Sequence, residues 1–297
     1  MFKNLDVRAL GVSGTQSQII ESALSFGFKG IHLDMVEFAA EVKSQGLAKA
    51  RRLLDSARLK VGSFRLPLDW SADDAEFNQQ LEQIGSLAAL AKELSCTRAV
   101  TVLDPSSDTQ PYHQNFEQHR RRLGLLARKL GEHGVRLGVG IDAAADAGTN
   151  RAFEFIRSFD ALLMLLAMVS EKNLGALVDV WDVHSSGSSL EAVRKLTVEK
   201  IVAVRLADSA AAASAPWPSN DRLLPQAQGK LDNVALLQLL ADMGYDGPIT
   251  PAPSPGQFAG KRRDDIVKQA GQSLDEVWKA AGLSPAGKRL AAAPARR

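Results

Sequence analysis

Short apolar runs alternate with longer segments of helical periodicity along most of the chain. Runs rich in Val, Leu, Ile and Ala predict strands that are buried on both faces, as in a parallel sheet. They lie at residues 7–13, 30–34, 59–65, 97–103, 134–141, 175–179, 200–205 and 247–252. The helical segments that follow them lie at residues 19–26, 47–57, 73–94, 113–132, 151–171, 188–196, 231–243 and 264–281.

Eight strand–helix units in succession predict a single closed (β/α)8 barrel of the TIM type. Thr15 or Ser17 is a suitable N-cap for the first helix, and Gly27 is a suitable stop. An open, doubly wound sheet is the alternative arrangement of the same units. No Gly-x-Gly-x-x-Gly sequence follows a predicted strand, so a dinucleotide-binding form of that sheet is not supported.

The sixth predicted strand ends abruptly in polar residues. The apolar run that begins at Gly175 leads into Asp179, Asp182 and His184. In a barrel of this type the C-terminal strand ends carry the functional side chains. We therefore expect these three residues at or near the functional site.

Charge and composition narrow the class of protein. The formal net charge of +2 is close to balance, which argues against a nucleic-acid partner. No segment approaches the ~18 apolar residues of a membrane span, so no membrane partner is expected. The single cysteine, Cys96, is predicted to be a small buried hydrophobe, and the lack of an intramolecular disulfide fits a cytoplasmic location. The barrel is predicted to span residues 1–283, and the Ala/Pro/Arg-rich tail at 284–297 is expected to be disordered.

Six short motifs occur in order along the predicted barrel. They are Gly27-Phe-Lys-Gly-Ile31, Leu66-Pro-Leu-Asp-Trp70, Gly134-Val-Arg-Leu-Gly138, Asp179-Val-Trp181, Leu206-Ala-Asp208 and Gly244-Tyr-Asp-Gly-Pro-Ile249. Together they resemble the sugar phosphate isomerase/epimerase family of xylose isomerase-like barrels. The resemblance runs from about Leu10 to Trp278.

The resemblance implies a divalent metal at the barrel mouth, held by carboxylates and imidazoles from the late strands. Position by position, most of those ligands are replaced in this chain. The family's aspartate on strand six is kept as Asp179. The family's glutamate on strand five is replaced by Gly140, and its histidine three residues after the aspartate is replaced by Asp182. Its histidine on strand seven is replaced by Arg205, and its glutamate on strand eight by Ala252.

These replacements predict a degenerate metal site. Glycine and alanine have no ligating side chain, and a protonated arginine cannot bind a cation and repels one nearby. The main hypothesis is therefore a non-catalytic relative without a cofactor, whose pocket binds a small sugar, phosphate or other anion, or which serves as a structural partner. Whether the protein is an enzyme is left open, and no oligomeric state is predicted.

The alternative is a working metal-dependent sugar isomerase or epimerase with a rearranged site. Mn, Mg or Zn would then be held by Asp142, Asp179, Asp182, His184 and Asp208. The competing expectation is that Arg205 pairs with one or two of these acids in a neutral buried network, or that Arg205 grips a phosphate or carboxylate. A phosphodiester-cleaving role is a weaker third option, since it needs a metal cluster even more.

Four further residues have two interpretations each. Arg65 is a candidate anion contact, with a salt bridge to Asp69 as the competing explanation. Trp70 and Trp181 are candidate walls of a sugar pocket, although burial against loops also explains them. His32 could point to the barrel mouth or be a hydrogen-bonded core histidine, and the second is expected. His113 and His119 are expected to be solvated on a helix.

Overall fold

Eight parallel strands close into a barrel. A computed structural model describes residues 1–210 and 215–290. The strands are β1 (Phe2–Leu5), β2 (Gly30–Leu33), β3 (Lys60–Arg65), β4 (Arg98–Val102), β5 (Arg136–Gly140), β6 (Leu174–Asp179), β7 (Ile201–Leu206) and β8 (Pro248–Pro251). Each strand is hydrogen-bonded to its neighbours in the sequence, and β8 pairs with β1. The predicted TIM barrel is therefore confirmed, and the open sheet is excluded.

Helices surround the barrel on the outside. They are α1 (Gln16–Ser25), α2 (Met35–Gln45), α3 (Leu47–Ala57), α4 (Asp74–Glu93), α5 (Tyr112–Gly131), α6 (Phe159–Ala167), α7 (Val180–Ser185), α8 (Leu190–Arg194), α9 (Asn233–Asp242) and α10 (Arg263–Ala280). Thr15 caps α1 as predicted, because its hydroxyl and the Gln18 side chain form a reciprocal capping box. Asp34 caps α2 by accepting hydrogen bonds from the backbone amides of Val36 and Glu37.

Three elements differ from the prediction. The first strand is Phe2–Leu5 rather than residues 7–13, because Asp6 Oδ1 accepts hydrogen bonds from the amides of Arg8 and Ala9 and turns the chain there. Helix α2 was not predicted. The helix expected at residues 151–171 is confined to Phe159–Ala167, because the Ser158 hydroxyl caps it at its start.

The barrel interior is apolar in its middle and charged at its mouth. Leu177, Ala203 and Val100 form a small cluster inside the barrel. Side chains alternate across a strand, so Asp179 and Arg205, two residues beyond Leu177 and Ala203, face the same interior at the C-terminal end. The strand geometry thus brings Asp179 and Arg205, which the sequence predicted as site residues, to the mouth of the barrel.

The segment after α10 contacts the barrel as far as the structure describes it. Trp278 Nε1 donates a hydrogen bond to the Ser284 carbonyl oxygen at 2.9 Å, and Arg289 pairs with Asp242 at 2.8 Å. The expected domain boundary at residue 283 stays a prediction, and residues 291–297 lie outside the described residues. In the part of the chain that is described, no helix has the length and apolarity to cross a membrane.

Candidate functional site

Asp179 and Asp182 come together where β6 passes into α7. Asp179 is the N-cap of α7, and its Oδ1 accepts hydrogen bonds from the amides of Trp181 (3.1 Å) and Asp182 (3.4 Å). Asp182 follows within the first turn, and its Oδ1 accepts from the Ala143 amide at 3.1 Å. Both carboxylates are buried. Helix capping therefore fixes two acids side by side at the barrel mouth.

Arg222 holds both of these acids. Its Nη1 lies 2.8 Å from Asp179 Oδ2, and its Nη2 lies 2.6 Å from Asp182 Oδ1. The guanidinium also lies over the Trp181 ring, 4.3 Å from its centroid. The sequence correctly indicated an arginine partner for these acids, but Arg205 was the wrong choice.

Arg222 reaches the acids from a short two-stranded sheet at the mouth. Residues Arg222–Leu223 pair antiparallel with Asp208–Ser209, just after β7. This stretch lies between the predicted strand at 200–205 and the predicted helix at 231–243, and it carries no periodic signal that would have pointed to Arg222. A contact between residues about forty positions apart in sequence is visible only once the barrel has closed.

The three charges do not balance. Burial raises the pKa of Asp182 to about 7, with Asp179 adding to the increase and Arg222 opposing it. Burial disfavours the charged form of Arg222, but the two acids outweigh this and raise its pKa. One guanidinium faces two carboxylates, so the cluster is neutral only when it holds one extra proton. Near neutral pH the cluster therefore binds that proton part of the time.

Asp208 and His184 do not join this cluster. Asp208 is fully buried, and its Oδ1 accepts hydrogen bonds from the amides of Ser209, Lys230 and Leu231. The Gly229 backbone packs so tightly here that an added Cβ would lie 1.5 Å from Asp208 Oδ2. His184 is half-buried, and burial lowers its pKa. The negative charges of Asp232 and Asp208 oppose this decrease.

The side chains at the mouth do not fit a divalent metal. Within residues 1–210 and 215–290, no three or more His, Cys, Asp or Glu side chains are placed to hold one. Asp142 Oδ1 accepts from the Ala144 amide, and both oxygens of Asp179 are already engaged. At Gly140 an added Cβ would lie 3.1 Å from Leu177 Cδ2. The rearranged metal set stays a prediction that the geometry does not support.

The two tryptophans pack inside the protein. Trp70 donates from Nε1 to the Val102 carbonyl oxygen at 3.0 Å and stacks on His119, with ring centroids 4.5 Å apart. Trp181 lies beneath Arg222 and is fully buried. His119 was predicted to be solvated, which is wrong. Its burial lowers its pKa to about 4.

A cavity lies on the opposite side of the mouth, at the ends of β1, β2 and β3. Its volume is about 870 Å³, and it is lined by residues 6–8, 12–14, 16, 19, 31–34, 36–38, 40, 41 and 65–68. Of the predicted ligand-binding residues, all of which the structure describes, only Arg65 lines it. The cavity and the Asp179–Asp182–Arg222 cluster are therefore separate features of one barrel end.

A second charged group lies between the cavity and the barrel centre. His32 Nδ1 is 2.9 Å from Ser63 Oγ, as expected for a hydrogen-bonded histidine. Burial lowers the pKa of His32, with Arg205 and Arg65 adding to the effect and Asp6 opposing it. Burial alone would raise the pKa of Asp6, but His32 and Arg205 lower it below its ordinary value. His32 is therefore neutral and Asp6 ionised at neutral pH.

Arg65 and Arg205 are unengaged. Within residues 1–210 and 215–290, neither guanidinium forms a hydrogen bond or an ion pair. The salt bridge from Arg65 to Asp69 does not form, because Asp69 Oδ1 accepts from the Ser71 hydroxyl at 2.7 Å instead. Asp6 was missed by sequence analysis. An acid that directly follows a strand was the available signal, and it was lost when the first strand was placed too late.

Comparison with known proteins identifies the class. The xylose isomerase-like TIM barrel family matches residues 20–277, so the chain belongs to that family. No curated protein is significantly similar to the chain in sequence.

Solved structures share the fold at low sequence identity. A xylose isomerase domain protein from Alicyclobacillus acidocaldarius is 22% identical with a TM-score of 0.83, over 95% of this chain and 99% of the other. The IOLI protein with a binding zinc atom is 15% identical with a TM-score of 0.77, over 94% and 99%. D-Psicose 3-epimerase with D-tagatose, from Clostridium cellulolyticum H10, is 12% identical with a TM-score of 0.72, over 95% and 99%.

Proposed function

We propose that this chain is a xylose isomerase-like barrel in which an ion-pair cluster has replaced the divalent-metal site. Its role is to bind a small sugar or anion without metal catalysis. The observation that carries this proposal is the forked contact of Arg222 with Asp179 and Asp182. Asp179 is the one ligand that the family resemblance preserves, and it is already bound.

The physical argument concerns charge as well as donors. A guanidinium beside both acids supplies the positive charge that a bound metal would otherwise bring, and it repels a further cation. Arg205 adds another positive charge inside the mouth. Gly140 and Ala252 offer no donor atoms. Arginine in turn recognises carboxylates and phosphates through its planar fork, so the unengaged Arg65 and Arg205 favour an anionic ligand.

The second candidate function is a metal-dependent sugar isomerase or epimerase. It is favoured by the similarity to the zinc-bound IOLI protein and to the epimerase solved with D-tagatose. It requires that Arg222 leave its two acids and that Asp142, His184 or Asp208 approach them. Asp208 is held by three backbone amides, which opposes that movement.

Metal content tests the two candidates directly. After dialysis of the purified protein against Mn²⁺, Mg²⁺ or Zn²⁺ and then metal-free buffer, we expect elemental analysis to find almost no metal. One metal per chain that is lost in Asp179→Ala, but kept in the exposed control Asp265→Ala, would establish the isomerase alternative and overturn our proposal.

A cytoplasmic location belongs to the same proposal. Cys96 is buried, and burial raises the pKa of its thiol to about 11. A thiol of this kind is unreactive and makes no disulfide, which suits a reducing compartment. We propose neither a nucleic-acid nor a membrane partner.

A further inference from the structure

The cavity at the ends of β1, β2 and β3 has a lining that is nearly half polar. Asp6, Ser13, Gln16 and His32 are among its polar residues. Hydroxyl groups of a ligand find hydrogen-bonding partners on such a wall, which offsets the cost of removing them from water. The volume of about 870 Å³ is in the usual range for a small organic ligand. A small polar molecule therefore suits this cavity.

Carboxylates outnumber guanidiniums around the cavity. Its described lining contains four carboxylates and two guanidiniums, which belong to Asp6, Asp34, Glu37, Glu41, Arg8 and Arg65. Arg8 pairs with Asp34, so these two charges cancel. Arg65 and Glu37 are both exposed, and solvent screens their charges. The charges of the buried Asp6 and the half-buried Glu41 remain, and they favour a cation.

Asp6 is the most buried of these acids, with 5% of its surface exposed. It is ionised at neutral pH, because its pKa lies below the ordinary value. Its Oδ1 accepts hydrogen bonds from the amides of Arg8 and Ala9. Its Oδ2 forms no hydrogen bond or ion pair with residues 1–210 and 215–290. An ionised carboxylate oxygen without a partner at the wall of a cavity favours a bound cation.

His32 supplies a second acceptor beside Asp6. Its Nδ1 lies 2.9 Å from Ser63 Oγ, and in the tautomer that donates from Nδ1 the Nε2 atom is an acceptor. In the part of the chain that the structure describes, Nε2 has no hydrogen-bond partner. A primary ammonium group carries three N–H donors, so it can bind an imidazole nitrogen and a carboxylate oxygen together.

Arg205 does not reverse the charge of the cavity. It acts on Asp6 and His32 from β7, where it lies beside Asp179 in the sheet register, and it is not among the described lining residues. Counting Arg205 as well leaves four carboxylates against three guanidiniums. An anion bound to Arg205 would therefore lie outside this cavity.

We propose that this cavity binds a hydroxylated primary amine, such as an amino sugar or an aminopolyol, with its ammonium group on Asp6 and His32 and its hydroxyl groups on the polar wall. The inference rests on the proposed function, because it names the ligand class of a barrel that binds a small molecule without a metal. For this cavity it narrows the ligand to a sugar-like molecule that carries a positive charge.

Isothermal titration calorimetry of the full chain with three related polyols tests the charge requirement. The probes are D-glucamine, sorbitol and D-gluconate, which carry an ammonium group, a neutral hydroxyl group and a carboxylate at the same end of one carbon chain. We expect D-glucamine to bind about tenfold or more tightly than sorbitol, and D-gluconate to bind most weakly. Equal affinities for D-glucamine and sorbitol, or tighter binding of D-gluconate, would overturn the inference.

Asp6→Asn tests the carboxylate that anchors the amine. Asparagine keeps an Oδ1 acceptor for the amides of Arg8 and Ala9, so the turn is preserved while the charge is lost. We expect D-glucamine to bind about tenfold or more weakly to this variant, and the affinity for sorbitol to stay within about twofold. Asp265→Asn is the matched control, because Asp265 is exposed on α10 and outside the cavity. It should bind D-glucamine as the wild type does.

A second pair of variants leaves the fully buried residues intact. Glu41 is half-buried on α2 and lines the cavity, whereas Glu21 is exposed on α1 and outside it. We expect Glu41→Gln to weaken D-glucamine about threefold and Glu21→Gln to leave its affinity unchanged. Unchanged affinity in both Asp6→Asn and Glu41→Gln would mean that the amine binds elsewhere, which overturns the inference.

A failure of this inference and a failure of the proposed function give different results. Metal analysis of the same sample reports on the proposed function, since one metal per chain on Asp179 overturns it whatever the order of the probe affinities. If the sample holds no metal and sorbitol or D-gluconate binds as tightly as D-glucamine, the ligand class is wrong and the proposed function stands. If none of the three probes binds, the inference is overturned as well.

Discussion

Arg222→Met should strongly destabilise the fold and make its stability depend on pH. The substitution removes two charge-assisted hydrogen bonds, at 2.8 Å and 2.6 Å, and keeps an apolar side chain over Trp181. It leaves Asp179 and Asp182 buried beside each other without a cation. Removing one partner of a buried ion pair typically costs about 3–5 kcal/mol, and we expect a loss of unfolding free energy in that range at neutral pH.

The sign of the pH dependence follows from the raised pKa of Asp182. Its value of about 7 lies above that of an unfolded aspartate, about 4. A carboxyl group of this kind contributes stability that is fully present below the unfolded pKa and is lost as pH rises toward the folded pKa. Arg222 opposes this increase, so without Arg222 the folded pKa of Asp182 rises further. The penalty of Arg222→Met should therefore be small near pH 4 and should grow up to and beyond pH 7.

Urea unfolding followed by circular dichroism between pH 4 and pH 8 measures this penalty. Arg289→Met is the matched control, since Arg289 also forks an aspartate, Asp242, but on the surface. It should cost at most about 1 kcal/mol at any pH. Adding Asp182→Asn to Arg222→Met should recover stability at high pH and little at low pH. A penalty for Arg222→Met below about 1 kcal/mol, or one that does not change with pH, would refute the compensating role of Arg222.

Three further predictions concern buried groups elsewhere in the barrel. Gly229→Ala should lower the free energy of unfolding in urea by about 1–3 kcal/mol, because the added Cβ would meet the Asp208 carboxylate. Gly256→Ala is the control and should be nearly neutral, since its Cβ would meet only Ser254, at 3.7 Å. Burial lowers the pKa of His119 to about 4, below its unfolded value of about 6.5. The stability that neutral His119 contributes is therefore present above about pH 6.5 and is lost as pH falls toward about 4. His119→Phe should reduce this pH-dependent loss of unfolding free energy in urea titrations. Cys96 should resist a thiol reagent in the folded protein and react after denaturation, and rapid labelling of the native protein would contradict its burial.

The barrel itself was predictable because its pattern is local and repeated. Seven of the predicted strands overlap observed ones, since each is a continuous apolar run between helical segments. The first strand was misplaced because Val7 continues the apolar pattern, while the side chain of Asp6 has already turned the backbone. Hydrogen bonds from a side chain to its own backbone leave little trace in an apolar/polar pattern.

The functional site was only half predictable. The position of Asp179 and Asp182 follows from one strand and its helix cap, so the sequence placed them correctly together. Their partner depends on which loop crosses the mouth. Arg205 stands beside Asp179 in the sheet register, yet Arg222 from the following hairpin makes the contact. A choice between two arginines that lie on different elements at the same barrel end cannot be made from a pattern along the chain.

The packing around Gly140 bears on how this barrel could change through mutation. A glutamate placed there would require Leu177 to move, because Leu177 Cδ2 already lies 3.1 Å from the site of a Cβ. Replacing Leu177 by a smaller residue first would leave a cavity inside the barrel. Removing Arg222 first would leave Asp179 and Asp182 buried without a cation. Each single substitution toward a metal-binding site should thus destabilise the barrel unless another has preceded it. The order of these substitutions therefore decides which of them the fold tolerates.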